Sequence, residues 1–81
     1  MARKNNAIIL SKLGSLLDML EARAIVSIYV ANDAGEESLL TDHYTVYQVY
    51  DVPYYEKLKY YDVIGFSVAL NAISIVIKKG V

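Results

Sequence analysis

A chain of 81 residues holds one domain, since nothing this short supports two separate cores. Eight basic and nine acidic side chains leave a formal charge of −1, which removes any strong case for nucleic acid, whose phosphates demand a basic face. With no cysteine and a single histidine, His43, the chain offers neither a disulfide framework nor a four-ligand zinc site.

The first six residues are polar and read as loosely ordered. From there Ile9, Leu13, Leu16, Leu17 and Leu20 recur at the spacing of one helical stripe, with Lys12, Ser15, Asp18 and Glu21 on the opposite side. Asn5, Asn6 or Ser11 could cap this helix. Gly14 inside it implies close packing, expected against a strand. A signal peptide is not the expected reading, because Lys12, Asp18 and Glu21 interrupt what should be an uncharged run.

Ala24–Ala31 then alternates with period two, Ala24, Val26, Ile28 and Val30 sharing one face. Asn32-Asp33-Ala34-Gly35 supplies turn chemistry. A second strand is expected between about Ser38 and Tyr50, most clearly over Thr45–Tyr50, making a hairpin with a long acidic loop. Asp51-Val52-Pro53 stops it, and Tyr54–Tyr61 reads as a short helix.

From Val63 to Ile77 there is no charge, and Lys78-Lys79 follow. Fifteen residues fall short of the ~20 that a spanning helix needs, and the β-branched content favours two strands joined by a turn at Asn71-Ala72. Ile64, Phe66, Val68 and Leu70 face one way in the first strand, Ile73, Ile75 and Ile77 in the second. The expected fold class is α+β, in the order helix-strand-strand-helix-strand-strand, with an antiparallel sheet and helices on one face. The last strand is apolar on both faces and is expected at a sheet edge, where it needs covering.

Candidate chemistry is sparse. His43 beside Asp42 is the one neutral-pH acid-base candidate, but no nucleophile elbow accompanies it, and a histidine exposed at a loop edge accounts for it more simply. Asp33, Glu36 and Glu37 do not match a calcium loop, and Gly14, Gly35, Gly65 and Gly80 are too dispersed to cradle phosphate. No catalytic, metal-binding or cofactor-binding residue is assigned, and no enzyme activity is expected.

The tyrosines are the unusual feature, with seven of the eight between Tyr44 and Tyr61. Tyrosine joins a large apolar body to a polar tip and is enriched at interfaces. Tyr44, Tyr47, Tyr50, Tyr54 and Tyr55 are therefore candidate interface residues. The competing reading is that several cap a small core with their hydroxyls in water. Base stacking would need more cations than the nearby Lys57 and Lys59. A domain this small hides only about 60% of its unfolded surface and often gains stability from a disulfide, a metal or a second subunit. Only the last stays open, so a homodimer is expected. The composition, 56% hydrophobic, leans the same way. Nucleic acid and membrane are not expected partners, and the absence of cysteine fits the cytoplasm.

Asp51-Val52-Pro53 with its short helix, then Asp62-Val63-Ile64 and the closing Ile73-Ser74-Ile75-Val76-Ile77, carry a resemblance. In organisation, over about residues 11–79, the chain is similar to small uncharacterised proteins of phages and mobile elements in Gram-positive bacteria. The resemblance implies a leucine-rich helix first and a paired hydrophobic hairpin last. It assigns no residue a role.

Overall fold

A computed structural model describes residues 11–80. Ile9, the proposed caps Asn5 and Asn6, and the polar first six residues lie outside them. The elements are β1 (Ser11–Lys12), α1 (Leu13–Asp18), β2 (Ile25–Ala31), β3 (Glu37–Thr45), α2 (Val46–Tyr50), α3 (Tyr55–Leu58), β4 (Asp62–Ala69) and β5 (Ala72–Lys78). The fold is α+β, and the expected element order needs two corrections. A short strand precedes the first helix, and the second helix is two helices.

The five strands form one sheet in the order β1-β4-β5-β2-β3. It is mixed, which corrects the all-antiparallel expectation. β5 runs parallel to β2, pairing Val26 with Ile73 and Ile28 with Ile75, while the other neighbours are antiparallel. The last strand is therefore central instead of marginal. Ile75 and Ile77 face the core, while Val76 on the opposite face is only partly buried.

β2 behaves as its alternation predicts, with Val26 and Ile28 fully buried. The following turn is built by Asn32, whose Oδ1 accepts from the N–H groups of Ala34 and Glu36, each at 2.9 Å. Gly35 completes it at φ 84°, a conformation that costs glycine little.

The expected strand at Thr45–Tyr50 is corrected to a helix. Thr45 and Gln48 form a capping box: the Gln48 N–H donates to Thr45 Oγ1 at 3.1 Å, and the Thr45 N–H donates to Gln48 Oε1 at 2.9 Å. Val46 and Val49, three residues apart, then point together into the core. The next two N–H groups, of Val46 and Tyr47, donate to the carbonyls of Ala24 and Ala22 at 3.0 Å, tying α2 to the entry of β2.

α1 buries Leu13 and Leu17, with Leu16 and Leu20 packed beside them, as the stripe predicts. It begins after Lys12, with no side-chain cap in place of the expected Ser11. Backbone carbonyls do that work, Tyr61 accepting from Leu13 and Lys59 from Gly14 at 2.9 and 3.0 Å. A Cβ on Gly14 would stand 3.0 Å from Lys59 Cβ and 3.3 Å from its carbonyl oxygen. The close approach expected of Gly14 is real, but the neighbour is the turn after α3, not a strand.

The β4–β5 hairpin replaces the spanning-helix reading of Val63–Ile77, and no helix among the described residues is long and apolar enough to cross a membrane. Its turn falls at Leu70-Asn71, one residue before the expected position. A bulge between Val63 and Gly65 shifts the strand, so that Val63 is buried and Ile64 only partly so. Leu13, Leu17, Val46, Val49 and Leu58 from the helices join Val26, Ile28, Val63, Ile75 and Ile77 from the sheet in one core cluster.

Candidate interaction surface

The candidate interface tyrosines divide into two groups. Tyr50 and Tyr55 pack against the core and on each other, edge to face, with centroids 5.2 Å apart and planes at 75°. The Tyr50 hydroxyl donates to Asp18 Oδ1 at 2.8 Å, joining α2 to α1. Burial, reinforced by that hydrogen bond, pushes the Tyr50 hydroxyl up to about 12. Burial and then the Asp18 charge raise Tyr55 as well, against the opposing effect of Lys59. Tyr44, Tyr47 and Tyr54, by contrast, are exposed. α2 presents Tyr47 outward while it turns Tyr50 inward. The structure brings Tyr50 and Tyr55 together and leaves the other three apart from that pair.

His43 occupies a β-bulge. Across from Val26 and Ile28 on β2 stand Tyr44 and Thr41, so Asp42 and His43 together oppose Ser27. His43 takes φ 58°, the left-handed region in which histidine is over-represented among non-glycine residues. Ser27 Oγ accepts the His43 N–H at 3.1 Å and donates to Asp42 Oδ1 at 3.5 Å, while His43 Nδ1 meets the same Asp42 oxygen at 2.6 Å. Serine, aspartate and histidine thus gather without the connectivity of a triad. The serine is buried and engaged by backbone and carboxylate, and the imidazole lies out in solvent. Among the described residues no group of three or more His, Cys, Asp or Glu side chains is placed to hold a metal ion.

A surface that the tyrosine pattern did not reveal lies at the far end of the sheet. Phe66 and Val68 are registered against Ile75 and Ile73, on the face of β4 that elsewhere carries the core. The helices do not reach that far. Phe66 is 41% exposed, Val68 65%, Met19 at the end of α1 79%, and Leu70 in the hairpin turn entirely. Between α1 and β4 opens a cleft of about 430 Å³ lined by Ser11, Leu16, Met19, Leu20 and Phe66, with no charged side chain among the described residues. The sequence signal for this surface is the uncharged run from Val63 to Ile77, longer than α1, α2 and α3 can cover.

At the other end of β4 lies a groove of about 620 Å³ lined by Lys12, Glu56, Lys57, Tyr60, Tyr61, Lys79 and Gly80. Lys12 pairs with Asp62 and Lys59 with Glu56, whereas Lys57 and Lys79 form no ion pair among the described residues. The hydrogen bond to Glu56 raises Lys59, whose ammonium also stands 5.3 Å from the centre of the Tyr60 ring. No protein family, curated protein or solved structure matches this chain.

Proposed function

We propose that this protein is a non-enzymatic interaction module that self-associates as a homodimer, acting in the cytoplasm that its cysteine-free composition fits. The observation that supports the reading is the apolar end of the sheet. Met19, Phe66, Val68 and Leu70 present aliphatic and aromatic surface with no polar tip to keep wet, and each Å² removed from water is worth about 25 cal/mol. The exposed tyrosines Tyr44, Tyr47 and Tyr54 form a weaker candidate, since their hydroxyls are satisfied by solvent. Sedimentation equilibrium is the test: a dimer at high micromolar concentration is the expected result, and a clean monomer there refutes the reading.

A second reading, a nucleic-acid-binding accessory protein, draws on the resemblance to phage and mobile-element proteins and on the groove at Tyr60. Lys57 and Lys79, without an ion pair among the described residues, offer cations beside the exposed Tyr60 ring, a stacking surface. The near-neutral charge of the whole chain counts against it. Filter retention of single-stranded DNA or RNA at low salt would support it, and no retention would end it.

A further inference from the structure

Leu70 opens the two-residue turn between β4 and β5, a position that requires a positive φ. Its φ is 44°, in the left-handed region where a Cβ crowds the backbone and where glycine or asparagine is the usual occupant. A leucine there is normally tolerated when burial compensates, yet this side chain is wholly exposed. A turn position that suits glycine but holds a wholly exposed leucine points to an external contact for that side chain.

The same molecule carries a receptor for it. Among the described residues the lining of the cleft between α1 and β4 is apolar except for Ser11, and the cleft has room for a leucine side chain. Resting on the self-association proposed above, we infer that two copies pair by reciprocal insertion, the Leu70 side chain of each entering the Leu16–Met19–Leu20–Phe66 cleft of the other. Phe66 and Val68 lie on β4, and Leu70 follows its last residue, Ala69, so the three come in that order along the hairpin end. A two-fold axis near Val68 therefore sets each Leu70 opposite the partner copy's Phe66, as an isologous contact requires. Both members of the contact are uncharged, so docking desolvates no ion. The exposed parts of Met19, Phe66, Val68 and Leu70 come to an area on the order of 500 Å² per copy, at the scale of the largest apolar patch on a monomer. That is below the ~800 Å² per partner of a standard interface, which sets the expectation of a weak dimer in the micromolar range.

Two variants separate this contact from the wider reading. Leu70→Gly removes the knob and relieves the backbone, so the subunit should keep its fold and melt no lower than the wild type when both are dilute. Met19→Glu places a charge at the mouth of the cleft, on a side chain already exposed. Sedimentation equilibrium on all three proteins should show a wild-type dimer and a dissociation constant raised at least about tenfold in each variant. A dimer unchanged by both substitutions overturns reciprocal insertion while leaving self-association standing. A wild type that stays monomeric at high micromolar concentration overturns both.

Discussion

Thr41 shows how one side chain can work against the core that holds it. It sits opposite Ile28 and is 2% exposed, and its Oγ1 has no hydrogen-bond partner among the described residues. A buried hydroxyl left unpaired carries a desolvation penalty of about 1–3 kcal/mol. Valine has nearly the same shape without that penalty, so Thr41→Val should stabilise the protein by about 1 kcal/mol, read as a higher melting temperature. A lower melting temperature would show that the hydroxyl is satisfied in solution. Tyr50 gives a second residue-level prediction. Its hydroxyl is raised from 10.0 to about 12 in the folded state. The neutral form is therefore favoured by folding. That contribution is fully present below pH 10 and is lost as pH climbs through the interval up to 12. Melting curves across that interval should fall less steeply for Tyr50→Phe than for the wild type. An unchanged slope would place the alkaline sensitivity elsewhere, Tyr55 being the next group whose hydroxyl is raised.

Elements were legible wherever a single period ran uninterrupted. β2 followed its alternation, α1 followed its leucine stripe, and Asn32 and Gly35 made the turn their chemistry implies. Thr45–Tyr50 misled because Val46, Gln48 and Tyr50 alternate with Tyr47 and Val49 over too few residues to separate a strand from one helical turn. The deciding signal was local: Thr45-x-x-Gln48 is a capping-box pattern, and its two reciprocal hydrogen bonds start α2. Thr45→Ala should cost about 1 kcal/mol, since it leaves the Gln48 N–H without its acceptor. Loss of helical signal together with a lower melting temperature would bear this out, and neither change would mean that packing of Val46 and Val49 alone holds the helix. The bulges at Asp42-His43 and at Ile64 were not legible. A one-residue slip reverses which side chains face the core, and nothing in a local period reports it.

On the scale of the whole molecule, the position of β5 is the main departure from expectation. A closing strand can be an edge that needs a partner or a centre that already has two. β5 is the second, between β4 and β2. That removes the original structural reason for expecting association at the last strand and moves the argument to the end of the β4–β5 hairpin. There the sheet outruns the helices and leaves Phe66, Val68 and Leu70 uncovered beside Met19. The tyrosine cluster likewise divides once folded: Tyr50 and Tyr55 brace α2 and α3 on the core, and Tyr44, Tyr47 and Tyr54 face solvent. Two surfaces, one aliphatic and one of exposed tyrosines, thus compete for the same functional role. Backbone amide spectra recorded from about 20 μM to about 1 mM decide between them, spanning the affinity range expected of a weak dimer. Concentration-dependent shifts centred on Leu16, Met19, Leu20 and Phe66–Leu70 are the predicted result. Shifts centred instead on Tyr44, Tyr47 and Tyr54, or none at all, would contradict the account.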